Sequence, residues 1–132
     1  MILVDTSVWI DVLRDRQGDV VESFRKKTYG EILVLSRFTQ LELLQGAKSG
    51  GEWKLLEHYL STQLYLEATE KTWADAARIF FELRRKGITV RSSIDCCIAQ
   101  VALENGALLL HKDADFDRIA SIRPLRFEWF TK

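Results

Sequence analysis

The chain begins Met1-Ile-Leu-Val-Asp-Thr-Ser-Val-Trp-Ile-Asp11. Three apolar residues, Ile2 to Val4, run straight into an acid. Thr6 and Ser7 follow, and then Val8, Ile10, Val12 and Leu13 recur in a helical pattern. This reads as a buried strand, a carboxylate at its carboxyl end, and a turn into a helix. In open α/β sheets, ligands bind in the crevice beyond the carboxyl ends of the strands. Asp5 therefore lies where chemistry is expected, although Asp, Thr and Ser are also the residues preferred as helix caps. What separates the two readings is whether other carboxylates reach the same crevice.

Downstream, the same grammar repeats. Glu31-Ile-Leu-Val-Leu35 is a second strand, with Ser36 as the N-cap of a helix from Arg37 to about Lys48. Gly50 and Gly51 interrupt the pattern, which resumes from Glu52 to Leu60. Gln63–Glu67 reads as a short third strand, and Thr69 opens the longest helix, which ends at Gly87. A further helix spans about Ile94 to Asn105 and ends at Gly106. Ala107–His111 is a fourth strand, Phe116–Ser121 a short helix, and Leu125–Phe130 an edge strand. Strands alternating with helices of this length imply a parallel sheet with helices on both faces.

Length and composition bound the rest. The 132 residues suit one domain, residues 1–132, with 47% hydrophobic and 29% charged residues. No apolar run approaches the length of a membrane span. Asp5 interrupts the only apolar start, so no secretory signal is expected. Cys96 and Cys97 are the only cysteines and are adjacent, which gives no disulfide framework. A reducing, cytoplasmic location is the expectation. Nineteen basic residues balance nineteen acidic ones. That argues against a general nucleic-acid coat protein but leaves a nuclease open.

Five acids need explaining. Glu42 sits on a mostly apolar helix, in Leu41-Glu42-Leu43-Leu44, and needs a partner if it is buried. Asp95 follows Ser92 at capping-box spacing, yet starts a helix whose next residues are Cys96, Cys97, Ile98 and Ala99. Asp113, Asp115 and Asp117 crowd a strand-end loop, where one is expected to cap a helix. Each acid alone has a structural explanation. Jointly they converge on one end of a doubly wound sheet. Four carboxylates in one crevice do not all stay ionised without cations. Oxygen-only donors suit Mg²⁺ or Mn²⁺ better than zinc. His111 adjoins this cluster and is read as a packing residue.

Taken together, Ile2-Leu-Val-Asp-Thr-Ser-Val8, the Glu42 helix with Gly46 after it, Ser93-Ile-Asp95-x-x-Ile98-Ala99 and Asp113-Ala-Asp-Phe116 resemble the PIN-domain ribonucleases, and among them the VapC-type toxins of bacterial toxin–antitoxin pairs. The resemblance covers nearly the whole chain. It implies a three-layer α/β/α sandwich with a central, mainly parallel sheet of four to five strands. It also implies Mg²⁺- or Mn²⁺-dependent endoribonuclease activity by metal-activated water. It carries the family's acidic quartet onto Asp5, Glu42, Asp95 and Asp113, with Asp115 as a supporting ligand or as the main fourth acid. Thr6 and Ser7 would hold a water or cation beside Asp5. Homodimers are implied too, as is a cognate antitoxin whose tail occupies the groove. Arg14, Arg16, Lys48, Arg91, Lys112 and Arg118 are candidates for RNA backbone contacts.

Rival readings fit less well. A receiver domain needs an acid pair at its first strand and a central phosphoacceptor. A haloacid-dehalogenase-type phosphatase needs Asp-x-Asp where this chain has Asp5-Thr-Ser7. A degenerate PIN-like partner-binding module, or an RNA-processing nuclease without a toxin role, stays as an alternative.

Overall fold

The computed structural model describes residues 1–132. Its centre is a five-stranded sheet built from β1 (Ile2–Val4), β2 (Leu33–Ser36), β3 (Tyr65–Leu66), β4 (Leu108–His111) and β5 (Phe127–Trp129). The spatial order is β3-β2-β1-β4-β5, and every pairing is parallel. Seven helices connect the strands: α1 (Thr6–Arg14), α2 (Asp19–Thr28), α3 (Arg37–Gln45), α4 (Gly50–Ser61), α5 (Glu70–Arg85), α6 (Ser93–Asn105) and α7 (Asp115–Ala120). This is the α/β/α sandwich expected from the alternation of elements.

The period of the strands divides the core in two. Leu3 pairs with Val34 on one side and Leu109 on the other. These three face one cluster with Ile79, Leu83, Ile98 and Phe116. Their neighbours Ile2, Val4, Leu35 and Leu110 face the opposite cluster, with Val8, Trp9, Phe24 and Leu60. Phe24 is the keystone of this second layer. Its ring lies 5.4 Å from Trp9 and 6.0 Å from Phe130, which ties α2 to α1 and to the C-terminal segment. Truncating Phe24 to alanine is expected to cost roughly 3–5 kcal/mol. Urea unfolding followed by far-UV circular dichroism measures this, and a loss under about 1 kcal/mol would contradict the packing role.

Two elements differ from the sequence reading. Gly50 and Gly51 do not break a helix but begin one, because the Ser49 hydroxyl accepts from the Glu52 N–H at 3.1 Å and caps it. The first turn tolerates glycine when the cap supplies the missing acceptor. The third strand is only Tyr65–Leu66, since it lies at the sheet edge and pairs on one side alone.

From β1 the chain moves outward to β2 and β3, then crosses to β4 and β5 on the other side of β1. The topological switch therefore lies between the carboxyl ends of β1 and β4. Asp5 N–H donates to the Leu110 carbonyl at 2.9 Å, so Asp5 sits beside the end of β4 as well as β1.

Candidate metal centre

Asp5 caps α1. Its Oδ2 accepts from the Ser7 N–H at 3.0 Å and from the Ser7 hydroxyl at 2.5 Å. Ser7 Oγ in turn accepts from the Lys112 N–H at 2.9 Å, which ties the β1 turn to the β4 turn. The capping and the clustering readings of Asp5 therefore coexist: one oxygen caps and the other is spare. Oδ1 is buried and has no hydrogen-bond partner. Burial pushes the Asp5 carboxyl up to about 6 even though Ser7 pulls it down, and the charge of Glu42 adds to the rise.

Glu42 reaches the same place from α3. Thr6 donates its hydroxyl proton to Glu42 Oε1 at 2.7 Å, and its oxygen lies 3.0 Å from the fully buried Thr39 hydroxyl. Thr39 and Glu42 are three residues apart, so they share a helix face. The Ser36 hydroxyl caps α3 through the Thr39 N–H. Sequence reasoning missed Thr39. Its signal was the spacing of two hydroxyls and an acid, at 36, 39 and 42, along one helix start.

Asp95 enters at the first turn of α6. The expected capping box is half formed: the Ser92 hydroxyl accepts from the Ile94 N–H at 3.1 Å, and Asp95 returns no bond to Ser92. The Asp95 carboxylate is thus left free for the crevice. Burial pushes it up to about 8, helped by the charges of Asp5, Asp113, Asp115 and Glu42. The four other acids all act on this one group.

The β4 turn supplies the rest. Carboxylate oxygens of Asp95, Asp113 and Asp115 lie within 4.8 Å of one another. Asp113 accepts from the Asp115 N–H at 2.9 Å within the turn that leads into α7, whose N-cap is Ala114, so the expected acid cap is not formed. Asp113 also faces Arg91, whose Nη2 lies 3.1 and 3.2 Å from its two oxygens. Asp115 is buried and fully engaged. Arg118 Nη1 donates to its Oδ1 at 2.7 Å, and the Arg91 N–H donates to its Oδ2 at 3.1 Å. Asp117 is held away, bound by the Trp129 indole N–H at 2.9 Å.

His111 packs, as expected. Its ring is enclosed by Phe116, Phe127 and Trp129. Nδ1 accepts from the Asp113 N–H at 3.1 Å, which shapes the turn that carries the acids. Burial lowers its pKa, which keeps the imidazole neutral. Cys96 is buried and its thiol is pushed up to about 12, so it is chemically quiet. Among the basic candidates, Arg91 and Arg118 lie on the acids and Lys112 pairs with Asp11. Arg14 lines an apolar groove beside Glu42.

The structure brings Asp95, Asp113 and Asp115 together, while Asp5, with its buried unpartnered Oδ1, and Glu42 lie outside that 4.8 Å group and act on Asp95 through their charge. The donors are all oxygen, and Asp95 is destabilised as an anion. A hard divalent cation fits such a set.

The PIN domain family model matches residues 2–122. Ribonuclease VapC11 of Mycobacterium tuberculosis is 34% identical over 129 residues, covering 96% of each chain. Among solved structures, DNA-bound VapBC from Salmonella typhimurium superimposes with a TM-score of 0.77 at 26% identity, covering 97% of this chain and 96% of that one. VapBC2 from Rickettsia felis, bound to a promoter DNA fragment, gives a TM-score of 0.79 at 18% identity, covering 99% and 100%. With a family model spanning nearly its full length and a VapC ribonuclease at this identity, the chain belongs to the PIN-domain family, in its VapC ribonuclease branch.

Proposed function

We propose that this chain is a Mg²⁺- or Mn²⁺-dependent endoribonuclease, a single nuclease domain over residues 1–132, acting as the toxin of a toxin–antitoxin pair in the cytoplasm. The observation that carries it is Asp5 Oδ1, a buried and unpartnered carboxylate oxygen at the topological switch point. A carboxylate oxygen in that position costs free energy unless a cation or proton meets it. The VapC ribonucleases among its relatives support the same reading.

Asp5, Glu42, Asp95 and Asp113 would hold the metal. When bound, a divalent cation polarises the scissile phosphate and lowers the pKa of water. The chain's own residues do the positioning. Ser7 fixes Asp5, and Thr6, backed by Thr39, fixes Glu42. Asp115 keeps a supporting place: with both oxygens already paired, it holds the Arg91 segment against α7. Attack by water, instead of by the RNA's own 2′-hydroxyl, leaves a 5′-phosphate and a 3′-hydroxyl.

The partner reading has its own support. A groove of about 510 Å³ runs beside Glu42, lined by Ile10, Leu13, Leu43, Leu55, Leu56 and Tyr59. An antitoxin segment with an apolar face fits it and lies next to the acids. Trp73, stacked edge-on against Phe38 at 5.5 Å and more than half exposed, suits a homodimer contact. No helix is long and apolar enough to cross a membrane.

The test is cleavage of a mixed RNA pool by antitoxin-free protein in Mg²⁺, Mn²⁺ or EDTA, with the product ends mapped. Metal-dependent cutting that leaves 5′-phosphates is the expected result. Cutting in EDTA, or 2′,3′-cyclic phosphate ends, would overturn the metal mechanism. No cutting with any metal would leave a partner-binding module on the same fold.

A further inference from the structure

A second cleft lies on the far side of the Arg91 loop. It holds about 790 Å³ and is lined by Arg78, Phe81, Glu82, Arg85, Lys86, Ile122 and Arg123. Four cations meet a single acid there, in a chain whose net charge is zero. Glu82 is spent internally, on Arg123 at 2.6 Å and Arg78 at 3.2 Å. Arg85 and Lys86 are exposed and make no ion pair.

Phe81 is the unusual member. It is exposed, and two guanidinium groups flank its ring, Arg78 at 5.0 Å and Arg85 at 5.7 Å from the centroid. An amphipathic helix needs no aromatic on its outer face, and α5 already buries Ala76, Ile79 and Leu83 on the inner one. An exposed ring framed by cations is what a single-stranded nucleic acid uses: a base stacks on the ring while the cations take the phosphates.

The cleft is also joined to the acids. The chain runs from Lys86 to Arg91 in five residues, at most about 18 Å. Arg118, on Asp115, leads through the end of α7 to Arg123. Arg91, Lys112 and Arg118 line the pocket over Asp113 and Asp115. Two short uncharged connections, residues 87–90 and 119–122, therefore join the clefts, with a cation at each end of both, although Arg91 and Arg118 already pair with the acids and Lys112 with Asp11.

We propose that the Arg78–Phe81–Arg85–Lys86–Arg123 cleft is a subsite for single-stranded RNA, holding the strand on one side of the cut phosphate. This rests on the endoribonuclease reading and locates its substrate path. Balanced overall charge does not oppose it, because affinity follows the local field rather than the sum.

The test compares the parent with Arg85→Glu/Lys86→Glu and with Phe81→Ala. Arg85 and Lys86 are exposed, so the charge reversal should keep the parent's circular dichroism and thermal midpoint. Phe81, 37% exposed, should keep the circular dichroism spectrum and lose at most a few degrees of midpoint on truncation. Steady-state cleavage of a single-stranded RNA in Mg²⁺ should show a raised KM with kcat nearly unchanged, because the subsite binds and does not react. Phe81→Ala should weaken binding roughly tenfold, as one lost stacking contact does. The double charge reversal should flatten the log–log salt slope by about 1.4, for two lost phosphate contacts on a single strand. A duplex RNA of the same sequence should respond to the charge reversal but not to Phe81→Ala. If the parent cleaves and both variants keep its KM and salt slope, this subsite is wrong while the nuclease reading stands. If the parent neither binds nor cleaves RNA, both fall. If KM holds and the variants instead change the mass in light scattering, the face is an interface between copies of the chain, and the subsite is overturned.

Discussion

Asp5→Asn is expected to abolish RNA cleavage while leaving the fold intact. The substitution keeps the shape and the cap, since asparagine accepts from the Ser7 N–H as aspartate does and is as good an N-cap. What it removes is the negative charge on the buried, unpartnered Oδ1. Without that charge the crevice loses a cation ligand at the switch point, and a group acting directly in catalysis typically accounts for on the order of 10³-fold in rate. Stability should not fall. The Asp5 carboxyl is raised from 3.8 to about 6 by burial, so the native state holds its proton more tightly than the unfolded chain does. The parent thus loses stability as pH rises from 3.8 to about 6, and the asparagine variant is spared that loss. Single-turnover cleavage and a thermal scan at pH 7, on the same preparation, check both halves. A folded variant that cuts RNA as the parent does would remove Asp5 from the site.

Much of this was legible in the chain itself. The run Ile2–Val4 into Asp5 announced a strand-end acid because a buried parallel strand is apolar on both faces. Asp95 was legible because a cap at Ser92 places it on the first turn of a helix that is otherwise buried. The strand order was not legible: alternation predicts parallel strands, but only tertiary packing decides that β4 pairs with β1. Nor were the Arg91 contacts, which join residues 22 and 24 positions apart through a loop with no periodicity. Asp113 and Asp115 looked equivalent in sequence. Their difference is one of access: Asp115 is buried with both oxygens taken, by Arg118 and by the Arg91 N–H, whereas Asp113 is partly exposed beside the Arg91 guanidinium.

Asp95→Asn should have two effects of opposite sign. It should remove cleavage, and in EDTA it should make the protein more heat-stable at pH 8. Burial first, and then four neighbouring acids, raise the Asp95 carboxyl from 3.8 to about 8. An acid whose folded pKa lies above its unfolded value binds its proton more tightly in the native state. The metal-free parent is therefore expected to lose stability as pH rises from about 4 to about 8, and to level off above that. The full shift corresponds to about 6 kcal/mol. Asp95 is partly open to solvent, and screening reduces the realised figure to about 2–3 kcal/mol. For a chain of this length that is roughly 10 °C in thermal midpoint. The asparagine variant should show a much flatter pH profile between 5 and 8, with the two proteins converging near pH 4. Mg²⁺ should reverse the ranking by stabilising the parent through binding to the native state, with little gain for the variant. Differential scanning fluorimetry across pH, with EDTA and with Mg²⁺, reads all of this. If the variant is no more stable than the parent at pH 8 in EDTA, neither burial nor the neighbouring acids destabilise the Asp95 carboxylate. The crevice would then lack the stored electrostatic free energy that a cation is expected to release.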